Sequence, residues 1–281
     1  VHNKISLLFL YWTGIIISFK GKIANMKILT LNINSIRAHA QSFIDILRAG
    51  EYDVIMVQEL KVETPAFPHN LFDEYGYNIK VFGQKSWNGV AVFSKFSIED
   101  VTRGMPGYAD VNARFIECVI DGRVRIINVY MPNGDTVDSA KFPYKLDWMH
   151  AFTDYIAPYL TSPEPVVIGG DFNVAIEDRD VWRPANYVGI AIAAPQARAI
   201  MKSWLDAGWT DAWRTAHPDE VGFTWYGYRG GDTVGKKQGL RLDYFLCNKA
   251  AAEMVRACEI DMAPRLAEKP TDHCGLALVL E

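Results

Sequence analysis

The chain has 281 residues, of which 49% are hydrophobic and 22% are charged. This composition is typical of a folded globular protein and excludes intrinsic disorder. The formal net charge of −4 at pH 7 argues against a protein that binds nucleic acid through bulk positive charge, although a local basic rim is compatible with it.

Residues 1–25 differ from the rest of the chain, because positions 5–19 are almost continuously apolar. This run is shorter than a spanning helix requires, and no small-residue cleavage site follows it. A clean strand pattern begins at Met26. We therefore interpret residues 1–25 as a non-native upstream extension and residues 26–281 as one domain. A signal peptide or membrane anchor is the alternative.

The four cysteines have no metal-binding or redox spacing and lie in apolar contexts: Cys118, Cys247, Cys258 and Cys274. Buried thiols of this kind indicate a reducing compartment, so we expect a cytoplasmic protein. The adjacent pair His273 and Cys274 is a weak candidate for thiol catalysis, because neighbours on a strand point to opposite faces.

The first elements alternate between strand and helix. Residues 27–34 and 52–59 have the pattern of buried strands, and the segment between them that starts at Ser35 has helical spacing. Ser35 is a candidate N-cap for this helix, and Gly50 is its stop signal.

The later elements mix both strand orientations. Asp121-Gly122 predicts a two-residue hairpin turn between two strands, and helices are expected at roughly 141–160 and at 195–207. Further strands are predicted at 77–82, 89–94, 165–173, 240–247 and 275–281. The pattern favours an α/β fold with two mixed β-sheets packed face to face as a sandwich and helices on the outside, a four-layer α/β/β/α arrangement.

Polar side chains follow several of these strands where the apolar run stops. They are Asn32 and Asn34, Glu59, Asp171 and Asn173, and the pair Asp272-His273 before the last strand. Function in sheet proteins collects at strand ends, so we expect these side chains to share a crevice. Each one alone is more simply explained as a turn cap, a solvated carboxylate or an ordinary histidine.

Asp243 is predicted to lie inside a buried strand, where a carboxylate requires a partner. Two interpretations are balanced at this point. Asp243 forms a structural ion pair with Arg241 or Arg125, or it orients a histidine.

Carboxylates without a Cys/His cluster suit a hard divalent cation, Mg²⁺ or as a possible substitute Mn²⁺. Glu59 is the first candidate ligand, with Asn32 beside it and Asp272 as a further contributor.

Nine motifs in order carry a resemblance to a known family. They are LNIN followed by Ser-Ile-Arg, VQELK, WNGVAVFSK, NVYMPNG, KFPYK, GGDFN, FTWYGYR, GLRLDYFL and KPTDH. Together they resemble the exodeoxyribonuclease III type of abasic-site endonuclease, within the endonuclease/exonuclease/phosphatase superfamily. The resemblance spans Met26 to Glu281 and implies one catalytic phosphoesterase domain.

That resemblance implies a DNA repair nuclease that incises 5′ to abasic sites and removes 3′ nucleotides or 3′-blocking groups. Its implied metal site is Glu59 and Asn32, and Asp171 aligns or deprotonates the attacking water. Asn173 orients Asp171 or holds the phosphate, and Tyr130 contacts the phosphate. Asp243 and His273 form a carboxylate–histidine pair that favours the protonated imidazole.

The implied substrate contacts lie mainly on loops. Asn133 contacts the phosphate or backbone, Trp225 packs against an extruded abasic sugar or a terminal nucleotide, and Tyr226 is better explained as a core aromatic. Trp182 and Arg183 lie where the family carries a DNA-facing loop, although an ordinary exposed loop explains them too. A basic rim is expected from Lys85, Arg103, Arg114, Lys141, Lys145, Arg229, Lys236 and Lys237.

Leu60 and the pair Cys274-Gly275 depart from the family pattern beside the metal-binding and histidine motifs. Such changes tune a site more than they abolish it. The implied partner is double-stranded DNA with abasic or 3′-damaged sites, bound by a monomer that needs no membrane and no protein partner. The alternatives are a phosphatase or phosphodiesterase of the same superfamily acting on inositol phosphates or phospholipids, and a binding module without catalysis.

Overall fold

The computed structural model describes residues 25–281, so the prediction for residues 1–25 lies outside the described residues except at Asn25. The described chain forms twelve strands. They are β1 (Met26–Asn32), β2 (Val54–Gln58), β3 (Asn78–Phe82), β4 (Val90–Ser94), β5 (Ile98–Arg103), β6 (Phe115–Ile120), β7 (Val124–Tyr130), β8 (Val166–Asp171), β9 (Thr210–Asp211), β10 (Asp243–Cys247), β11 (Val255–Asp261) and β12 (Gly275–Leu280).

These strands form two six-stranded sheets. The first has the order β11-β12-β1-β2-β4-β3, and the second has the order β5-β6-β7-β8-β10-β9. One pair in each sheet is parallel, β1 with β2 and β7 with β8, and the other pairs are antiparallel. The prediction of two mixed sheets is confirmed.

In this part of the chain six α-helices accompany the sheets: α1 (Ala40–Ala49), α2 (Lys141–Ile156), α3 (Pro195–Ala207), α4 (Ala212–Ala216), α5 (Lys249–Ala252) and α6 (Ala263–Leu266). Short 3₁₀ turns connect several elements, and one of them continues α2 to Thr161. None of the described helices is long and apolar enough to cross a membrane.

Three apolar clusters hold the layers together. One fills the space between the two sheets, with Met56 of β2 and Phe245 of β10 among its members. A second packs α2 and α3 onto the second sheet, around Trp148 and Trp204. A third packs α1 onto the first sheet through Phe43. Since each sheet is covered by the other on one face and by helices on the other, the four-layer sandwich is confirmed.

Three local predictions are wrong in detail. The first helix begins at Ala40, and the Ser35 hydroxyl instead accepts from the Ala38 N–H at 3.3 Å in the preceding turn. The hairpin after β6 contains a third residue, Arg123, because Ile120 pairs with Val124. The strand predicted at 240–247 forms only from Asp243 onward, so Asp243 stands at the start of β10.

The strand ends converge because of the topology. The carboxyl ends of the parallel strands β1 and β2 lie at one edge of the first sheet, and those of β7 and β8 lie at one edge of the second. Strand β10 runs antiparallel to β8, and its first residue Asp243 pairs with Asp171, the last residue of β8. The sheets therefore deliver their polar strand ends to a single edge of the sandwich.

Candidate active site

A cavity of about 250 Å³ opens at this edge of the sandwich. Most of the predicted site residues line it: Glu59, Tyr130, Asn133, Asp171, Asn173, Trp225, Asp272 and His273. The grouping predicted from strand ends is therefore present in space. Asn32 and Asp243 lie behind this lining, fully buried, and contact it through hydrogen bonds.

The imidazole of His273 is held by Asp243. The Nδ1 atom of His273 lies 2.9 Å from Oδ2 of Asp243, and both side chains are buried. Burial alone would lower the pKa of His273, but the carboxylate of Asp243 outweighs it and raises that pKa to about 10. Of the two interpretations of Asp243, the structure supports the one in which Asp243 orients a histidine. Neither of the two candidate arginines pairs with Asp243: Arg241 pairs with Asp180 and Asp211, and Arg125 pairs with Glu117 and Glu164.

Asp171 faces the other nitrogen of the same imidazole. Its Oδ2 atom lies 3.7 Å from Nε2 of His273 and accepts a hydrogen bond from Nδ2 of Asn32 at 2.9 Å. Its Oδ1 atom accepts from the backbone N–H of Asn173 at 2.9 Å. Burial raises the pKa of Asp171 above its ordinary value. Asp171 and His273 therefore form a direct polar pair on the wall of the cavity.

Glu59, the first candidate metal ligand, lies at the wall of the cavity. It accepts from Nδ2 of Asn32 at 2.8 Å and pairs with Nζ of Lys61 at 2.9 Å. Burial alone would raise the pKa of Glu59, but the ammonium of Lys61 and the amide of Asn32 outweigh it, so that pKa is lowered. Glu59 is thus held as a carboxylate at the cavity.

Asn32 presents its nitrogen to the two carboxylates. Its Oδ1 atom accepts from the backbone N–H of Asn34 at 3.0 Å, which fixes the orientation of the amide. In this orientation Asn32 bridges Glu59 and Asp171 as a donor, and its oxygen points away from them.

Asp272 is held from two sides. Its Oδ1 atom accepts from Nδ2 of Asn34 at 2.9 Å, and its Oδ2 atom accepts from Nε1 of Trp225 at 3.0 Å. Lys61 donates to Oδ1 of Asn34, so a chain of contacts joins Glu59 to Asp272. The role of Asn34 in this chain was not predicted from the sequence.

The donor chemistry fits a magnesium ion. Among residues 25–281 no group of three or more His, Cys, Asp or Glu side chains is arranged to hold a metal. Mg²⁺ does not require such a cage, since one or two carboxylates plus water and substrate oxygens satisfy it. Glu59 and Asp272, both at the cavity wall, meet that requirement.

Tyr130 and two asparagines form the next part of the wall. Burial raises the pKa of Tyr130 well above its ordinary value, so its hydroxyl stays protonated. Nδ2 of Asn133 donates to Oδ1 of Asn173 at 2.9 Å, and Nδ2 of Asn173 donates to the Met131 carbonyl at 3.0 Å. A hydroxyl and two side-chain amides thus line this part of the cavity.

Three predicted substrate contacts lie outside this cavity. Lys141 lines a neighbouring cavity of about 470 Å³ and pairs with Asp135 at 2.8 Å. Trp182 lines a groove of about 580 Å³ with Phe223 and Tyr226, and the guanidinium of Arg183 stacks on its ring at 4.5 Å. The core assignment of Tyr226, which is 7% exposed, agrees with the structure.

An apolar part of the cavity wall was not predicted from the sequence. Ile192, Leu240 and Leu242 lie beside Trp225 at the cavity. Their signal in the sequence was too weak to separate them from ordinary core residues. Leu240 and Leu242 both precede Asp243, the first residue of β10, and Ile192 lies in a short 3₁₀ turn.

The backbone at these strand ends is unusual. Five non-glycine residues with positive φ gather there: Asn34 (50°), Ser35 (105°), Glu59 (53°), Lys61 (53°) and Asn173 (50°). Such conformations cost energy and cluster at functional sites. Two of these residues, Glu59 and Asn173, line the cavity.

The sandwich and its strand-end cavity define a phosphoesterase of the two-sheet class. The model of the Endonuclease/Exonuclease/phosphatase family matches residues 29–273. The chain belongs to this family, in which metal dependence is general.

The relatives place the chain in one branch of that family. It is 30% identical to exodeoxyribonuclease III of Haemophilus influenzae over 89% of this chain and 98% of the relative. Among solved structures, an AP endonuclease from Archaeoglobus fulgidus is 36% identical with a TM-score of 0.87, covering 91% of this chain and 99% of that one. A 3′-5′ exonuclease from Neisseria meningitidis is 34% identical with the same TM-score, covering 91% and 100%. The predicted resemblance to the exodeoxyribonuclease III type is confirmed.

The thiol of Cys274, the residue after His273, makes no hydrogen bond to the site residues. Cys274 is fully buried, its sulfur lies 3.4 Å from the sulfur of Met262, and burial raises the pKa of its thiol. All four cysteines are reduced and buried, as the sequence indicated.

Proposed function

We propose that this protein is a DNA repair nuclease that hydrolyses phosphodiester bonds, incising 5′ to abasic sites and removing 3′ nucleotides or 3′-blocking groups from duplex DNA. The observation that carries the proposal is the direct pairing of Asp171 with the Asp243–His273 unit at one small cavity, with Glu59, Tyr130 and Asn173 also on its wall. The named relatives, which include exonucleases and AP endonucleases, support it.

Each residue has a role that its position supports. Asp171 aligns the attacking water and accepts its proton, and the imidazolium of His273 stabilises the negative charge that grows on the phosphate oxygens. Asp243 fixes the tautomer and orientation of His273. Tyr130, Asn133 and Asn173, which line the same cavity, donate to the phosphate.

Glu59 would hold the metal, with Asp272 as a second carboxylate and Mg²⁺ as the ion that the oxygen donors suit, Mn²⁺ being a possible substitute. The metal would supply charge neutralisation at the phosphate and polarise the bond that breaks. Asn32 would contribute an oxygen ligand only after its amide turns over. In the present orientation it keeps Glu59 and Asp171 at a fixed separation.

A polymeric substrate is favoured by what adjoins the cavity. Tyr130 and Asn133 line both the catalytic cavity and its 470 Å³ neighbour, where Arg114, Lys141 and Trp87 also lie. Trp87 is 69% exposed. Cations and an exposed aromatic ring beside the reacting phosphate suit the neighbouring units of a nucleic acid strand. The rim thus offers local positive charge on an acidic protein.

The apolar wall gives the cavity a place for a sugar without its base. This wall consists of Trp225, Ile192, Leu240 and Leu242. Its only side-chain hydrogen-bond donor is the indole N–H of Trp225, which is already bonded to Asp272. The side chains of this wall therefore offer no hydrogen bond to a base. An abasic nucleotide is cheaper to extrude than a paired one, because no base pair is broken.

The test is a panel of substrates treated with the full chain and Mg²⁺. It comprises duplex DNA with one abasic-site analogue, duplex DNA with a 3′-phosphate, undamaged recessed duplex and inositol phosphates. We expect cleavage of the DNA substrates that chelator abolishes. Release of phosphate from inositol phosphates with inert DNA would contradict the proposal.

A further inference from the structure

Lys145 is a fully buried cation directly behind the candidate site. It lies on α2, where the sequence analysis assigned it to the basic rim, and that assignment is wrong because its side chain has no exposed surface. Its Nζ atom donates to the carbonyl oxygens of Pro132 at 2.8 Å and Asn173 at 2.9 Å. Within residues 25–281 it forms no ion pair with a carboxylate.

Burying such a residue lowers the stability of the folded state. Lysine is almost never fully buried without a partner, because an ammonium group removed from water loses its solvation. Burial lowers the pKa of Lys145 to about 7. The neighbours on α2, among them Trp148 and Met149, are apolar, so an aliphatic side chain would serve packing alone. The ammonium group therefore has a role that packing does not require.

The two carbonyls that Lys145 binds belong to the segments that carry the site amides. Pro132 immediately precedes Asn133, and Asn173 has a left-handed backbone with φ of 50°. The side chains of Asn133 and Asn173 are themselves joined at 2.9 Å. Lys145 thus closes a ring of contacts around both amides from the interior.

The aliphatic stem of Lys145 also supports the first segment. A Cβ atom on Gly134 would lie 2.8 Å from Cδ of Lys145, and Gly134 has φ of 88°. The loop after Asn133 therefore rests directly on the lysine stem, with no room for a side chain between them.

We propose that Lys145 is a positioning residue for phosphodiester cleavage: its ammonium group ties the Asn133 loop to the Asn173 turn, so that both amides and Asp171 hold one geometry at the phosphate. This inference rests on the proposed function. Asn173 donates its backbone N–H to Asp171 at 2.9 Å, so the tie reaches the carboxylate that aligns the water.

The test compares Lys145→Met, which keeps the stem and removes the donors, with Lys145→Arg, which keeps charge and donors. We expect Lys145→Met to lower kcat about 10- to 100-fold with KM changed less than about 3-fold, since a displacement of about 1 Å at a site costs rate more than binding. Lys145→Arg should recover part of that loss. The matched control is Met149→Ala, one turn further on α2, which should lower the melting temperature and leave kcat within about 2-fold.

Several outcomes would overturn the inference. The first is an unchanged kcat in Lys145→Met. The second is a loss of kcat that is proportional to the fall in melting temperature, with the same proportion in Lys145→Met and Met149→Ala. If Lys145→Met does not fold, Gly134→Ala takes its place, because it lifts the loop from an intact lysine and should lower kcat in a folded protein. A wild-type chain inert on every DNA substrate would remove the proposed function as well, whereas an active wild type with unaffected variants would remove this inference alone.

Discussion

Asp243 accepts a hydrogen bond from Nδ1 of His273 at 2.9 Å, although the two residues belong to segments of different sheets. Asp243 begins β10 in the second sheet, and His273 precedes β12 in the first. The contact therefore spans the sandwich and fixes the relative position of both sheets at the site. The other carboxylate oxygen of Asp243, Oδ1, has no hydrogen-bond partner among the described residues.

Asp243→Asn should lower kcat by at least ~100-fold, because an amide neither stabilises the imidazolium nor enforces the tautomer. The melting temperature should change little, since the amide fits the same space. The pKa of His273, followed by NMR, should fall at the same time. A variant with normal kcat, or with a slow rate but an unmoved histidine pKa, would show that Asp243 does not act through His273.

Trp225→Ala should impair abasic incision more than 3′-terminal digestion, because the indole ring forms part of the apolar wall. The indole N–H also bonds to Asp272, so Trp225→Phe separates the two contributions by keeping a ring and removing the donor. We expect Trp225→Phe to retain most of the abasic activity, measured as kcat/KM on each substrate. Equal losses on both substrates would argue against a role at the lesion.

His217 should make stability depend on pH. Its ring lies 3.2 Å from both Glu220 and Glu259. Burial alone would lower the pKa of His217, but these carboxylates and the Cys258 carbonyl outweigh it, so the pKa is raised. Because the pKa is higher in the folded state, protonated His217 contributes to the free energy of unfolding. This contribution is fully present below the pKa of the unfolded state, about 6.5, and is lost as the pH rises through the pKa of the folded state.

The corresponding variant is His217→Gln. Thermal unfolding should reveal a loss of about 0.2–1 kcal/mol near pH 5.5, the range of a partly exposed ion pair, and almost none near pH 9. A loss that is the same at both pH values would mean that packing on Trp213, whose ring stacks at 5.1 Å, is the whole contribution of His217.

Much of the site was predictable because strand ends are visible in a sequence. The apolar runs before Glu59 and Asp171 stop at a polar residue, and parallel neighbours then bring those residues to one edge. The sandwich followed from the same alternation. The order of motifs supplied the roles of Tyr130 and Asn173, which strand ends alone could not assign.

Other features depend on contacts that no local pattern encodes. Lys145 has the spacing of a helix residue, and only the packing of α2 beneath the Asn133 loop reveals that it is buried. The start of β10 at Asp243 depends on pairing with β8, since the apolar residues before it look like strand in isolation. The short edge strand β9 has only two residues and no periodicity to detect.

The orientation of Trp182 was equally hidden. Its loop carries aromatic and basic residues that suggest a DNA contact, and in the fold its ring packs beside the cluster of Phe223, Tyr226 and Cys274. The position of the loop could therefore be predicted from the sequence. The direction in which each of its side chains points depends on tertiary packing, which the sequence does not reveal. The contact of Trp182 with DNA stays a prediction.

The proposed mechanism depends most on Asp171, because water activation is assigned to its carboxylate. The most direct measurement is single-turnover cleavage of end-labelled duplex DNA with one abasic-site analogue, by the wild type and Asp171→Asn, each with Mg²⁺ or with excess chelator. We predict that the wild type with Mg²⁺ cuts directly 5′ to the lesion, and that Asp171→Asn binds the same duplex but cleaves it several orders of magnitude more slowly. Incision by Asp171→Asn at a near-normal rate, or incision by the wild type in excess chelator, would contradict the account.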